Sequence, residues 1–322
     1  MDFKSIQSLV AEDMEGVNEA IRHYLHSDVA LISEMAKYII NSGGKRMRPM
    51  LAVLCARACG YSGEKHYLVA AIIEFIHTAT LLHDDVVDES SLRRGNQTAN
   101  AIWGNETTVL VGDFVFSRAF EMMVDVGEMR VMEILATASN TIAEGEVMQL
   151  LNCNDPETTE EQYMMVIQSK TAKLFEAACQ LGAILAGENK NIEQACAAYG
   201  MHIGTAFQLK DDLLDYQASP EDMGKNMGDD LAEGKPTLPL IHALKNSDGS
   251  SVNLIRSVIE NGGKDHLKEV LQVIESTNAI AYTENVARQQ AQFAKQSVEI
   301  LKSNPYRDAL IQLTEFAITR PT

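Results

Sequence analysis

The sequence predicts an all-α fold: one large helical bundle spanning residues 1–322 as a single domain. Three observations predict it. No proline lies between Pro49 and Pro156, so long helices can run there without the break that a proline ring forces. Apolar residues recur at three- and four-residue spacing through most of the chain, and no stretch shows strand alternation bounded by hairpin turns. Aromatics make up only 6% of the residues while Met occurs 15 times, a mix that suits packed helices better than sheets.

The elements follow in order. Residues 29–40 carry helical spacing and stop at Gly43-Gly44, a C-terminal signal. Pro49 then sits where a first-turn proline starts the next helix. Residues 68–88, 108–124, 130–151, 159–186 and 192–216 read as long helices, and 251–260, 264–277 and 279–302 as further ones. No low-complexity linker marks a domain boundary.

Composition excludes several classes of function. The formal net charge is -18, which repels nucleic acid and anionic lipid head groups. The five cysteines, at 55, 59, 153, 179 and 196, are odd in number and form no CxxC pair. They point to free thiols in a reducing compartment rather than a disulfide framework or a zinc site. The first sixteen residues lack the basic and apolar regions of a signal peptide, and no apolar run approaches the ~20 residues of a membrane helix. A soluble, cytoplasmic protein is expected, with no nucleic-acid partner and no stable membrane insertion.

One pattern occurs twice. His83-Asp84-Asp85-Val86-Val87-Asp88 and Lys210-Asp211-Asp212-Leu213-Leu214-Asp215 both follow apolar helical lead-ins. At about 100° per residue, Asp84, Asp85 and Asp88 crowd one side of a helix, and so do their counterparts. Such carboxylates repel one another unless a cation sits among them. Hard oxygen donors in this number suit magnesium, which keeps some waters and bridges to substrate phosphates. A single cluster could equally be a solvated helix end; two copies with matching lead-ins are harder to dismiss. His83-Asp84 also raises an HD-type metallophosphohydrolase, but the remaining histidines form no evident ligand set.

Cations gather around these clusters in spite of the negative net charge. Gly43-Gly44-Lys45-Arg46-Met47-Arg48-Pro49 places three of them before a helix N-terminus, where backbone amides and guanidinium forks favour phosphate. His77 lies two turns before Asp84 on the same helix face. Arg93-Arg94-Gly95 follows Asp88 closely. Lys170-Thr171, Lys225 and Lys235 add cations along the second half of the chain. Taken singly, several of these are ordinary surface residues; together they suggest a polyanionic ligand.

With those residues assembled, the sequence resembles the trans-polyprenyl diphosphate synthases over nearly its whole length. The resemblance rests on the Gly-Gly-Lys-Arg-Met-Arg-Pro turn, both aspartate motifs, Arg93-Arg94-Gly95, Lys170-Thr171, Phe207-Gln208 and the Gly-Lys segments between 224 and 235. It implies an antiparallel bundle of the isoprenoid synthase type with a central active-site cavity. It implies that Asp84, Asp88 and Asp211 ligate two or three magnesium ions, with Asp85 and Asp215 in support. Arg93, Lys170, Thr171, Gln208 and Lys225 would then bind an allylic diphosphate, and Lys45, Arg48, His77 and Arg94 would bind isopentenyl diphosphate. Lys170, Gln208, Asp84 and Asp211 would carry the chemistry, and the family suggests a homodimer. A catalytically silent subunit would not need both motifs intact, and a one-substrate terpene cyclase would have no use for Lys45, Arg48 and Arg94.

Product length is read from the wall below Asp84. Ala79 and Thr80 lie one turn deeper, ~6 Å at 1.5 Å per residue, where shorter-chain relatives often carry Phe or Tyr. Ile76 is one turn further and not aromatic. The expected tunnel passes beyond twenty carbons, with Met122 and Met123 as its floor, although ordinary core packing explains the same residues. The family resemblance implies an octaprenyl product, a quinone side-chain precursor.

Overall fold

The computed structural model describes residues 2–41, 44–93, 95–217 and 228–320. Helices dominate: α1 (Phe3–Leu9), α2 (Ala11–Tyr24), α3 (Ala30–Asn41), α4 (Met47–Ala58), α5 (Lys65–Val87), α6 (Ala99–Trp103), α7 (Asn105–Val126), α8 (Met129–Asn152), α9 (Glu160–Ile167), α10 (Lys173–Leu185), α11 (Lys190–Gln217), α12 (Asp229–Ala232), α13 (Leu238–Asn246), α14 (Gly249–Asn261), α15 (Leu267–Ser276), α16 (Ala279–Ser297) and α17 (Pro305–Thr319). The all-α expectation holds.

Two local departures matter. Between α5 and α6 the chain forms a two-residue antiparallel hairpin, β1 (Leu92–Arg93) with β2 (Asn96–Gln97). Such short strands are invisible to periodicity. Between α9 and α10 the helix widens into a π turn, Gln168–Ala172, so the helix expected over 159–186 is one rod with an irregular middle. It starts at a capping box: the Thr159 hydroxyl accepts from the Gln162 amide, and the Gln162 side chain accepts from the Thr159 amide, which satisfies two orphan donors.

Contacts group the chain into two compact units. The first comprises Met1–Ser139, Ala177–Ala197 and Ile300–Leu310; the second comprises Asn140–Glu176, Ala198–Glu299 and Ile311–Thr322. The divisions fall inside α8, α10, α11 and α17.

In the first unit α5 is the central helix. It packs on α2, α4 and α7, which is why Val69, Ile72, Ile73, Phe75 and Ile76 are all buried. In the second unit α13 packs against α9, α14, α15 and α16. Leu240, Ile255, Val258 and Ile274 fill one core there, and Tyr163, Ile167, Leu209 and Leu238 form another.

Candidate active site

The first aspartate motif lies on the last turn of α5. Asp84 and Asp85 are inside the helix and Asp88 is its C-cap, with its amide bonded to the Asp84 carbonyl at 2.8 Å. The three carboxylates have different surroundings. Asp85 is buried, and Arg93 meets its Oδ1 through both Nε and Nη2 at 2.8 Å. Burial pushes the Asp85 carboxyl up, Arg93 opposes this, and Asp84 and Asp88 add to the rise. The Asn100 side chain ties the Asp85 carbonyl to that of Ser90. The hairpin thus folds back on the motif because its arginine needs the buried acid. Arg93, expected on the allylic diphosphate, and Asp85, expected to support magnesium, meet each other.

His83 does not join a ligand set. It leans on α7, with Nε2 3.3 Å from the Val109 carbonyl and 3.4 Å from Asp113. The neighbouring Gly112 allows this approach, since a Cβ there would stand 2.4 Å from the same nitrogen. That removes the starting point of an HD-type centre.

The basic turn divides its cations. Arg46 takes a left-handed conformation, φ 44°, at the N-cap of α4 and faces Glu74 of α5 at 4.0 Å. Lys45 is exposed. Arg48, on the first turn of α4, brings Nη1 within 3.0 Å of His77 Nε2. A guanidinium can only donate, so this His77 nitrogen accepts and the ring is neutral there. Two residues expected on isopentenyl diphosphate are therefore joined within the first unit. Arg94 and Lys225 lie outside the described residues.

The second motif lies wholly within α11. Its middle aspartate is again the buried one. Asp212 accepts from the Tyr163 hydroxyl at 2.5 Å and from Gln208 Nε2 at 2.8 Å. Burial pushes its pKa up to about 6 against those two hydrogen bonds, and Asp211 and Asp215 add to the rise. Asp215 accepts from the amides of Gly228, Asp229 and Asp230 at 3.0–3.2 Å, so it seats the start of α12. Burial raises it too, to about 6, against those amides. Asp211 is the open member. Arg320 of the C-terminal segment donates to it at 2.5 Å and stacks over Phe207 at 3.6 Å from the ring centroid.

A cavity of about 170 Å³ opens beside this motif. Lys170, Thr171, Gln208, Asp212, Asp230 and Lys235 are among the residues that line it. Lys170 stands on the π turn, 2.5 Å from Glu146 of α8. Gly145 makes this approach possible: a Cβ there would lie 2.7 Å from the Lys170 amide nitrogen. Wide helical turns of this type are frequent at functional sites. Thr171 donates to Gln208 Oε1 at 2.9 Å. Lys235 pairs with Glu233. Lys170, Thr171 and Gln208 thus line one cavity. The structure adds Tyr163, Glu146, Asp230 and Arg320, whose links span long sequence separations and left no local pattern.

Ile76 and Ala79 on α5 and Met122 and Met123 on α7 are buried, and Thr80 donates to the His77 carbonyl at 2.9 Å. Among the described residues no group of three or more His, Cys, Asp or Glu side chains forms a ready metal cage, and no helix is long and apolar enough to cross a membrane.

Comparison with known proteins supplies the frame for these parts. The chain is 53% identical over 321 residues to octaprenyl diphosphate synthase of Escherichia coli (strain K12), covering 99% of each chain. A crystal structure of a decaprenyl diphosphate synthase from Rhodobacter capsulatus matches with a TM-score of 0.95 and 43% identity over 99% of each chain. A polyprenyl synthase from Caulobacter crescentus CB15, complexed with calcium and isoprenyl diphosphate, matches with a TM-score of 0.94 and 43% identity, covering 99% of this chain and 98% of that one. The polyprenyl synthetase family model aligns with residues 29–276. With both aspartate motifs and the Lys170-Thr171 turn inside that span, the chain belongs to the polyprenyl synthetase family.

Proposed function

We propose that this enzyme is an all-trans-octaprenyl diphosphate synthase, which adds isopentenyl diphosphate units in succession to an allylic diphosphate, farnesyl diphosphate being the expected primer. The observation that carries this reading is the full-length likeness to an octaprenyl diphosphate synthase, joined to a cavity that gathers Lys170, Thr171 and Gln208 beside a buried aspartate.

Asp84, Asp88 and Asp211 are the residues that would hold magnesium. They fit it in two ways. All three offer hard carboxylate oxygens, and Asp211 already draws the Arg320 guanidinium to 2.5 Å, which marks its position as one that takes positive charge. The relative with bound calcium and isoprenyl diphosphate supports a divalent cation shared with phosphates, and two or three ions per site is the expectation. When bound, such ions would offset the charge that develops on the departing diphosphate.

The protein's own groups do the rest. Lys170 and Arg93, with Lys225, hold the allylic diphosphate, and Lys45, Arg48, His77 and Arg94 hold isopentenyl diphosphate. Thr171 and Gln208 stand beside the carbon–oxygen bond that breaks. The buried walls of Ile76, Ala79, Met122 and Met123 keep water from the allylic cation, which would otherwise end as an alcohol. The released diphosphate takes the proton lost when the new trans double bond forms. We propose further that both aspartate motifs serve one reaction within a single domain. Exposed Leu110 and Val124 on α7, and Leu150 and Leu151 on α8, support a homodimer. Free thiols and the acidic surface support a cytoplasmic enzyme.

Incubation with labelled isopentenyl diphosphate and farnesyl diphosphate, followed by chromatography of the products, tests the function. Extension to a forty-carbon chain is expected. Release of phosphate without chain growth would overturn the assignment.

A further inference from the structure

Among the buried polar groups that line the cavity beside the second motif is a tyrosine that the chemistry above leaves unused. Tyr163, on α9, is 5% exposed, and its ring belongs to the core built from Ile167, Leu209 and Leu238. Its hydroxyl donates to Asp212 Oδ2 at 2.5 Å. The other oxygen of that carboxylate accepts from Gln208 Nε2 at 2.8 Å, and Gln208 Oε1 accepts from the Thr171 hydroxyl at 2.9 Å. Three hydrogen bonds thus run in series from a core aromatic through Asp212 and Gln208 to Thr171.

The direction of this series follows from which groups can donate. A carboxylate accepts on both oxygens, so the end of the Gln208 amide that meets Asp212 must be its nitrogen. That leaves the amide oxygen pointing to Thr171, with a second lone pair free. An amide turned the other way would set N–H against the Thr171 side, where positive charge develops as the allylic diphosphate departs. Preorganised dipoles act by being fixed before the charge appears. Asp212 alone would fix the amide poorly, because a carboxylate can rotate. The Tyr163 hydroxyl, on a ring locked by packing, pins the far oxygen.

We propose that Tyr163 is a positioning residue for chain elongation: it holds Asp212, and through Asp212 it fixes the Gln208 amide with its oxygen toward Thr171 and the reacting carbon. The inference rests on the reading of this cavity as the allylic diphosphate site.

The test is Tyr163→Phe, which keeps the ring and removes the hydroxyl, combined with Gln208→Ala in a double-mutant cycle. With farnesyl diphosphate and isopentenyl diphosphate, Tyr163→Phe should lower kcat about 10- to 100-fold and leave both KM values within about twofold of wild type. In the Gln208→Ala background the same change should cost nothing further. Unchanged kcat in Tyr163→Phe, or losses that multiply in the double variant, would overturn the proposal, since a purely structural tyrosine would act independently of Gln208. If circular dichroism shows Tyr163→Phe to be unfolded, Asp212→Asn carries the same cycle and the same two outcomes decide. Wild-type enzyme that fails to extend farnesyl diphosphate would overturn the assigned function itself; wild-type extension with an unaffected Tyr163→Phe would overturn this inference alone.

Discussion

At the scale of single residues, the two aspartate motifs share a sequence but divide their labour. In each, the middle carboxylate is buried and already satisfied, by Arg93 in one case and by Tyr163 and Gln208 in the other. Asp215 is committed to backbone amides. Asp84→Ala or Asp211→Ala should therefore lower turnover by several orders of magnitude at saturating magnesium. Near-normal rates in steady-state assays would remove the metal assignment. On the first-unit wall, Ala79 is buried, so Ala79→Tyr should shorten the product while the first addition proceeds, as read by chromatography. A pH dependence belongs to another buried group. His66 is 1% exposed and its Nε2 lies 3.0 Å from Asp13 Oδ1, while Arg57 grips the same carboxylate. Burial holds the His66 pKa below its ordinary 6.5, Asp13 opposes this, and Arg57 deepens it. Burial pushes the Asp13 carboxyl up, but hydrogen bonds from Arg57 and His66 together outweigh it and hold it below 3.8. Both groups then bind fewer protons folded than unfolded, so stability is lost on acidification, first through His66 below pH 6.5 and then through Asp13 below 3.8. Asp212 and Asp215, raised to about 6, take up protons on folding over the same range and oppose this loss, so the readout is a difference: melting temperature plotted against pH between 5 and 7 should rise less steeply in His66→Gln than in the unsubstituted protein. Equal slopes for the two proteins would count against the account.

At the scale of elements, most helices were legible because a 3.6-residue period survives over many turns. The helix expected from residue 159 starts at the capping box of Thr159 and Gln162. The π turn at Gln168–Ala172 was not legible, because it changes the period over one turn only. The hairpin escaped because two residues per strand carry no alternation. The site was legible where it depends on motifs, as at Lys170, Thr171 and Gln208, and hidden where it depends on pairings between distant helices, as at Glu146, Tyr163 and Arg320. The close approach of α8 to the π turn yields a test. In Gly145→Ala the new methyl would meet backbone, at 2.7 Å from the Lys170 nitrogen, and backbone cannot turn aside as a side chain can. A loss of about 1–3 kcal/mol is expected, together with lower turnover because Lys170 moves from its place. Wild-type stability by denaturant melting, or wild-type kcat, would show that the fit is looser than described.

At the scale of the molecule, the octaprenyl and decaprenyl synthases named above both align with this chain over 99% of its length. Relatives named for different product lengths thus share one frame with this chain, which is why motif and fold could be read from sequence, while the small side chains at 79 and 80 led only to the expectation of a product beyond twenty carbons. The division into two units has a thermodynamic consequence. Since α8, α10, α11 and α17 each run unbroken from one unit into the other, melting either unit strips turns from helices of its neighbour. Calorimetry should record one cooperative transition, as a single domain requires. Two separable transitions would show that the units fold independently.

The wide turn beneath Lys170, Gln168–Ala172, carries one residue more than a regular helix would hold there. Removing one residue from 168–169 would restore an even coil along the rod from Glu160 to Leu185, and by the ordinary rules of helix formation that coil would be easier to make. It would also swing the stretch before it by about 100° against the stretch after it, parting Tyr163 on one side from Lys170 and Thr171 on the other. The regular helix would thus be the easier one to form and the poorer frame for the cavity that Tyr163, Lys170 and Thr171 line.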